Sequence, residues 1–254
     1  MHCIMNFPNF EIELNLLKQG HTLIAGIDEA GRGPWAGPIV ASAVVFKGSD
    51  PLGSAPYLNS YLSLINDSKK LSPKKRAELD IIIKETALSV GIGVVKASIV
   101  DKIGIGKANK LAFLSAILNL NITPTFIITD YLKLSTSDLS LLKLINIPSK
   151  LNLFSLLKNQ QNIVKGDCVS TSIAAASIIA KVYRDNIMDQ LHLTYPQYGF
   201  NKHKGYGTKT HQNALKTHGP CAIHRQSFAP IRRLGIPVIA RSLRRSNLIR
   251  VGDR

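Results

Sequence analysis

The stretch from Ile24 to Gly37, IAGIDEAGRGPWAG, constrains the fold of this chain more than any other. Its apolar start predicts a buried strand, which ends in two adjacent carboxylates, Asp28 and Glu29. Side chains alternate across a strand, so both acids can serve one site only if the strand stops between them or just after them. The glycines that follow make such a stop plausible and allow the backbone amides around Arg32 to approach a ligand closely. An isolated acidic pair is more often solvated than functional. Other residues of the chain have to show whether Asp28 and Glu29 belong to a functional site.

Composition narrows the class of protein. The 254 residues fit one domain, or one domain with appendages. A net charge of +16 points to a polyanionic partner, nucleic acid first and an anionic membrane surface second. The three cysteines are far apart, which fits a reducing compartment. The first 15 residues lack the build of a signal peptide, and no stretch approaches the length of a membrane span. We therefore expect a cytoplasmic monomer with no membrane association.

Hydrophobic periodicity predicts an α/β domain with a mixed sheet. Residues 139–154 are ambiguous, and residues 48–64 read as a surface loop. The buried stripe of the last long helix is expected at Ala176, Ala180, Tyr183, Ile187 and Leu191. The predicted strands are 23–28, 38–46, 89–97, 125–130 and 162–167, and the predicted helices are 9–19, 73–88, 105–120 and 170–192.

Carboxylates stand at three of these strand ends: Asp28 with Glu29, then Asp130, then Asp167. In an open α/β sheet, ligands collect beyond the carboxyl ends of parallel strands, so the acids can converge. Clustered carboxylates repel one another unless cations neutralise them, and oxygen ligands suit Mg²⁺ or Mn²⁺ rather than zinc. Two such ions about 4 Å apart can activate a water and stabilise the leaving oxygen of a phosphodiester. An acidic site in a strongly basic chain is the pattern that a nuclease needs.

The basic segment Asn66–Arg76 leaves two interpretations open. Ser72 is a suitable N-cap and Pro73 suits the first helical position, so a helix should begin there. Its first turn, Lys74 to Arg76, has the wrong sign for the helix dipole. The turn is either a phosphate site or an ordinary solvated basic turn.

Three further features have structural interpretations on composition alone. The loop Asn201–His211 mixes lysines, glycines and Tyr206, which suits contact with sugars and phosphates but also suits a solvated loop. His218, Cys221 and His224 give a weak zinc signal and are interpreted as structural. Asp185 lies four residues after Lys181 on a predicted helix, so a salt bridge explains it without catalysis.

Six motifs in order resemble the bacterial ribonuclease HII family, the type 2 ribonucleases H, from about Leu23 to Ile231. They are GIDEAGRGPWAGP, DSKKLSPKKR, the acid Asp130, KGD followed by SIAAASIIAKVYRD, YGFNKHKGYGT and HRQSFAP. Any one motif is modest support, whereas six in register are strong support.

The resemblance implies a ribonuclease H-like fold, with a mixed central β-sheet flanked by helices and a C-terminal helical and loop extension. It implies hydrolysis of the RNA strand of RNA/DNA hybrids and cuts 5′ to single ribonucleotides in duplex DNA, leaving 5′-phosphate and 3′-hydroxyl ends. The catalytic and metal-binding acids, holding two Mn²⁺ or Mg²⁺ ions, would be Asp28, Glu29, Asp130 and Asp167. The substrate contacts would be Gly31, Arg32, Gly33 and Tyr206 at the 2′-hydroxyl, and Ser68, Lys69 and Lys70 at phosphates.

The chain departs from the family pattern at two positions and at its end. Tyr131 stands where glycine is common, and Trp35 where a smaller aliphatic residue is common. We divide the chain into a lead-in at 1–22, a catalytic domain at 23–231 and a basic tail at 232–254. The tail carries seven arginines and is either a nucleic-acid-gripping arm or inert.

Two other functions compete with this one. A non-catalytic nucleic-acid-binding protein would explain the charge, but it gains nothing from carboxylates that face phosphates. Another two-metal nuclease or polynucleotidyl transferase on the same fold would differ in not requiring a ribose.

Overall fold

The structure is a computed structural model that describes residues 7–47, 62, 64–145 and 153–234. Nearly all of the predicted loop at 48–64, part of the ambiguous segment at 139–154 and the tail from 235 onward lie outside the described residues. The strands are β1 (Ile24–Ala30), β2 (Ile39–Val45), β3 (Ser89–Val95), β4 (Phe126–Asp130) and β5 (Gln160–Ile163). The α-helices are α1 (Glu11–Lys18), α2 (Pro73–Thr86), α3 (Ala97–Ile103), α4 (Ile105–Leu118), α5 (Leu153–Leu156), α6 (Thr171–Thr194), α7 (Phe200–His203), α8 (Lys209–His218) and α9 (Ala229–Arg232).

The five strands form one mixed sheet in the order β3-β2-β1-β4-β5, which confirms the predicted fold class. β1, β2 and β3 pair antiparallel, whereas β4 runs parallel to β1 and β5 runs parallel to β4. Because β1, β4 and β5 run the same way, their carboxyl ends lie at one edge of the sheet. The acids that follow these strands are thereby brought to the same edge.

Helices cover both faces of the sheet. On one face α4 contributes Leu111, Phe113 and Ile117 to a core shared with β1, β2 and β4. On the other face α6 and α2 pack against β2, with Leu79 and Ile179 fully buried. This double cover explains why the inner strand β2 is buried along its whole length.

The structure corrects the sequence predictions at several places. The buried residues of α6 beyond Ala180 are Arg184 and Met188, and Tyr183 is 39% exposed. β5 ends at Ile163, so Asp167 lies on a separate 3₁₀ turn, Gly166–Cys168. The helix α3 was not predicted at all, because it is short and has neither a side-chain N-cap nor a long apolar period.

The basic start of α2 has a structural role that neither sequence interpretation anticipated. Ser72 caps the helix as expected, accepting a hydrogen bond from the Lys75 N–H. The Arg76 guanidinium donates to the carbonyls of Ser68 and Leu71, at 2.8 and 2.6 Å. The Arg76 guanidinium therefore holds the preceding turn against the helix. Whether Lys74 and Lys75 bind a phosphate or are solvated stays a prediction.

The C-terminal extension packs on the end of α6 as a third cluster, built on Met188, Phe200 and Leu215 with Trp35 beside them. It therefore reaches the glycine loop that follows β1. No helix among the described residues has the length and apolar character that crossing a bilayer requires.

Candidate active site

Three of the four predicted acids converge at the edge of the sheet. Carboxylate oxygens of Asp28, Asp130 and Asp167 all lie within 4.8 Å of one another. Asp28 comes from β1 and Asp130 from the last position of β4, while Asp167 comes from the turn after β5. The backbone holds two of them: Asp28 accepts from the Glu29 N–H at 2.7 Å, and Asp130 accepts from the Gly166 N–H at 2.9 Å.

The fourth acid, Glu29, stands beside this cluster and is not part of it. β1 continues through Ala30, so Glu29 follows Asp28 within the strand, and its side chain is paired with Arg32 at 3.4 Å. Glu29 nevertheless lines the same 300 Å³ cavity as Asp28 and Asp130. The structure thus places all four acids at one edge, with three in mutual contact range of a single ion.

The acid cluster is electrostatically unfavourable by itself. Burial raises the pKa of Asp28 well above its ordinary value, and the charges of Glu29 and Asp130 add to the rise. Burial also raises the pKa of Glu29, although Arg32 opposes this, and it raises the pKa of Asp130. Buried like charges of this kind favour bound cations.

Lys69 supplies a partial counter-charge. Its Nζ lies 3.4 Å from Asp167 and 3.8 Å from Asp67, and these acids raise its pKa despite the opposing effect of burial. Among the described residues it is the one cation paired with the three clustered acids, and its side chain is 77% exposed. A single exposed ammonium leaves most of the negative charge uncompensated, and an all-oxygen donor set suits Mg²⁺ or Mn²⁺. The residues therefore fit divalent ions.

Two buried arginines hold the glycine loop that borders this cluster. Arg225 donates to the carbonyl oxygens of Gly31, Arg32 and Gly37, and Arg184 donates to those of Ala36, Pro38 and Lys204. Both side chains are at most 1% exposed, and burial lowers their pKa values, to about 9 for Arg225 and to about 10 for Arg184. Their charges are met by carbonyl dipoles. The two guanidiniums therefore fix the backbone path of the loop.

Glycine is required at the start of the loop. Gly31 has φ +98°, and a Cβ there would lie 2.1 Å from Nε of Arg184. A Cβ at Gly33 would lie 3.7 Å from the Tyr206 ring, so that ring lies next to the loop. Tyr206 is 45% exposed and lines the 300 Å³ cavity together with Gly31, Arg32 and Gly33.

The predicted phosphate contacts occupy different positions around the acids. Lys69 lines the cavity, and Lys70 is exposed in an adjoining one. Ser68 also lines the first cavity but is buried, with its hydroxyl 2.8 Å from that of Ser177. The geometry brings the two lysines, and not the Ser68 hydroxyl, to the open side of the site.

Comparison with known proteins agrees with this arrangement. The profile of the family described as Ribonuclease HII matches residues 25–231. The ribonuclease HII of Chlamydia abortus is 45% identical over 223 residues, which cover 87% of this chain and 91% of the relative. That of Bacillus pumilus is 44% identical over 222 residues, which cover 87% and 76%. The crystal structure of ribonuclease H2 from Pyrococcus horikoshii OT3 matches with a TM-score of 0.63 and 25% identity, covering 84% of this chain and 96% of the other.

The chain belongs to the ribonuclease HII family. It is therefore a metal-dependent ribonuclease H, an endonuclease that acts on the RNA strand of RNA/DNA hybrids. The acid cluster and the glycine loop of this ribonuclease HII lie at one edge of the sheet.

Sequence reasoning missed Asp67 of this ribonuclease HII. Asp67 is buried, and its side chain accepts from the Lys69 N–H, capping the 3₁₀ turn Ser68–Lys70. Its oxygen also lies within 4.8 Å of ligand atoms of Asp167 and Cys168. The available signal was its place in the DSKK segment, two residues before the predicted contact Lys69.

The C-terminal extension of this ribonuclease HII contains a chain of buried histidines. The Cys221 N–H donates to Nδ1 of His224 at 2.9 Å, so Nε2 of His224 carries the proton and donates to Nε2 of His211, also at 2.9 Å. His211 then donates from Nδ1 to the Tyr206 carbonyl at 2.9 Å. The ring of His203 stacks on His211 with centroids 4.5 Å apart. The chain of bonds ends on the backbone of Tyr206.

These contacts agree with a structural role for the histidines and Cys221. Among the described residues, the groups of His, Cys, Asp and Glu close enough to share a metal are the two acid clusters, which contain none of His218, Cys221 and His224. The salt bridge predicted between Lys181 and Asp185 is confirmed, at 2.7 Å. Both features are thus accounted for without catalysis.

Proposed function

We propose that this ribonuclease H also cuts 5′ to a single ribonucleotide embedded in duplex DNA, using two divalent ions held by Asp28, Glu29, Asp130 and Asp167. The observation that carries the proposal is the convergence of three of these acids beside a glycine loop and an exposed tyrosine. Mg²⁺ or Mn²⁺ fits the oxygen donors equally, so the proposal covers both ions.

When bound, the ions would activate a water and stabilise the leaving oxygen of the phosphodiester. The acids hold and orient them, which is why their own protonation is unfavourable to function. Lys69 and Arg32 line the same cavity and can meet the phosphate oxygens of the strand to be cut. The protein thus supplies both the negative pocket and the cations around it.

Ribose recognition is assigned to the glycine loop and Tyr206. The 2′-hydroxyl is the group that distinguishes RNA from DNA at a given position. Gly31, Arg32 and Gly33 line the cavity, and Arg225 fixes the loop by donating to the carbonyls of Gly31 and Arg32. The Tyr206 ring closes the same cavity next to Gly33 and can contact the sugar. Loop, ring and acids are close enough to read a ribose and cut beside it.

A duplex with one internal ribonucleotide tests the proposal. The wild-type protein with Mg²⁺ or Mn²⁺ is expected to make one cut, 5′ to the ribonucleotide, leaving 3′-hydroxyl and 5′-phosphate ends. The same duplex with a deoxynucleotide at that position is the matched control and should stay intact. Cutting of the all-DNA control at a similar rate would replace ribose reading with a general nuclease activity. Cutting of long hybrids but not of the single ribonucleotide would limit the activity to hybrids.

The number of ions is tested by calorimetric titration with Mn²⁺ in the presence of an uncleavable hybrid. Two equivalents bound by the wild type and fewer by Asp130→Asn support the two-ion arrangement, whereas one equivalent in the wild type contradicts it. We also propose that the protein acts as a monomer. Sedimentation velocity with and without duplex checks this.

A further inference from the structure

The turn after β4 has an unusual backbone. The Leu132 N–H donates to the Asp130 carbonyl at 2.6 Å, which closes a three-residue turn with Tyr131 at its centre. Tyr131 has φ +59° and its N–H donates to the Ile163 carbonyl. Three-residue turns with positive φ at the centre are rare and strained, and glycine relieves that strain. The chain nevertheless places a tyrosine there, directly beside a clustered acid.

Left-handed residues other than glycine are few in the part of the chain that the structure describes. Among the described residues they are Tyr131, Lys165 and Lys204, with φ between +50° and +59°. Tyr131 and Lys165 line one 540 Å³ cavity, and Lys204 lines a 560 Å³ groove that also contains Tyr206. Strained backbone that collects around one cleft is characteristic of functional sites.

The cavities around the acids are continuous. The 540 Å³ cavity shares Arg32, Lys69 and Asp130 with the 300 Å³ cavity that holds the glycine loop. Tyr206 lines the second cavity, whereas Tyr131 lines the first. The two rings therefore line different cavities that share Asp130, so a strand bound across the acids can pass both rings.

The described residues do not bury the Tyr131 ring. The ring belongs to a side chain that is 72% exposed, among the most exposed large hydrophobic residues described. Its neighbours in the cavity, Lys70 and Lys165, are basic, and Val164 is 70% exposed. An exposed ring that shares a cavity with lysines suits the backbone of a nucleic acid, since the ring can pack on a sugar while the ammonium groups meet phosphates.

We propose that Tyr131 contacts the substrate by packing on a sugar of the strand bound at the acids, with Lys165 at the neighbouring phosphate. The proposal rests on the proposed function, since it uses the same bound strand. Tyr131 then contributes to binding and not to the chemical step. Tyr131 is not part of the Gly31–Gly33 loop to which ribose reading is assigned, so we expect it to support hybrid and all-DNA duplexes alike.

Two substitutions separate the ring from the backbone. Tyr131→Gly removes the ring and relieves the strained φ, whereas Tyr131→Phe keeps the ring. Binding of a fluorescently labelled duplex is measured by anisotropy in chelator, where no cutting is expected, and thermal unfolding is measured in parallel. Tyr131→Gly is expected to weaken binding by about fivefold, from the loss of the apolar area that the ring buries against the sugar. Its unfolding midpoint should be equal to or above that of the wild type, and Tyr131→Phe should bind as the wild type does.

The controls decide between the alternatives. Phe154→Ala removes an exposed ring that lines none of the three cavities and should bind normally. Wild-type affinity in Tyr131→Gly would overturn the proposal, as would weak binding accompanied by a lower unfolding midpoint. Weaker binding of the hybrid alone, with unchanged binding of the all-DNA duplex, would also overturn it. These outcomes can be told apart from a failure of the proposed function. If the proposed function is wrong, the wild type leaves the ribonucleotide duplex uncut, and the anisotropy measurement does not depend on cutting.

Discussion

The acids at the sheet edge and the histidines of the C-terminal extension are clusters of mostly buried titratable side chains that behave differently. The histidines satisfy one another: each ring nitrogen of His211 and His224 has a partner when both rings are neutral. The carboxylates of Asp28, Asp130 and Asp167 have no such solution, because ionised carboxylates only accept hydrogen bonds. The histidines, whose hydrogen bonds are satisfied within the protein, therefore have a structural role. The carboxylates need a cation from outside the protein, as expected of a binding site.

The pKa shifts of the two clusters have the same origin and opposite sign. Burial lowers the pKa of His211 to about 4 and that of His224 to about 3, so both rings are neutral at physiological pH at no cost. Burial and neighbouring charge raise the pKa of Asp28, which remains a source of repulsion whenever it ionises. Substitutions that remove one cluster at a time test whether the acids serve catalysis and the histidines serve stability.

The largest expected effect is on catalysis in the acid cluster. Asp28→Asn removes a central oxygen donor and should lower kcat with Mg²⁺ by at least about a hundredfold, in line with the loss of a main electrostatic contact to the transition state. Because the substitution also removes like-charge repulsion, unfolding in chelator should occur at a higher temperature than for the wild type. Cleavage of a hybrid and thermal melting measure the two effects.

Asp185→Asn is the matched control for that experiment. Its partner Lys181 lies on the same helix, and the pair is partly exposed, so little stability and little activity should be lost. Nearly full activity in Asp28→Asn would separate the acid cluster from catalysis and leave the family activity without its site.

The second effect is on stability in the histidine cluster. His224→Leu leaves the Cys221 N–H and Nε2 of His211 without partners inside the protein, which should cost about 2–4 kcal/mol of unfolding free energy. The metal concentration for half-maximal cleavage should stay at its wild-type value. Urea unfolding and a metal titration measure these, with exposed Lys216→Ala as the control. A changed metal requirement would mean that the histidines act on the site directly.

The sequence predicted the parts of the fold in which a residue pattern is compatible with one kind of local structure. Apolar runs that end in acids predicted β1, β4 and the edge at which Asp28 and Asp130 meet, since strand direction alone brings them together. Arg184 was not predicted, because a buried arginine satisfied by carbonyls has no signature of its own in the chain. Tyr183 was assigned to the buried stripe in its place, on periodicity alone.

The same reasoning explains the partial prediction of the site. Four acids could be named as one group, but their separation into three clustered oxygens and a neighbouring Glu29 depends on the end of β1 and on the pairing with Arg32. Asp67 was missed because it enters the site through the fold of a turn, not through a strand end. Periodicity predicts the edge of the sheet at which the acids lie. The packing of the strands and turns decides which of the acids come within reach of one ion.

A smaller effect is expected from added ions without any substrate. Mg²⁺ or Mn²⁺ binds only the assembled acids, so it should raise the stability of the wild type, by about 2.7 kcal/mol at a hundredfold excess over Kd. Asp28→Asn should gain much less, while His224→Leu should gain as much as the wild type from its lower starting point. Differential scanning fluorimetry across a metal series measures this. Equal gains in all three proteins would place the ions elsewhere.

The smallest effect is the pH dependence, in which the clusters act in opposite directions. The pKa of Asp28 is higher in the folded protein than in the unfolded chain, so Asp28 binds its proton more tightly when the protein is folded. The stability that this contributes is complete below pH 3.8 and is lost as the pH rises through the raised pKa. A lowered one, as for His211 and His224, means that stability is lost as the pH falls below 6.5 toward about 4 and about 3. In chelator, the advantage of Asp28→Asn over the wild type should therefore shrink toward acid pH, and so should the deficit of His224→Leu. Saturating Mg²⁺ should abolish the first trend, because the ions then meet the carboxylate charge, and should leave the second unchanged. If Mg²⁺ altered both trends, the two clusters would be coupled through Tyr206, whose carbonyl the histidine chain holds.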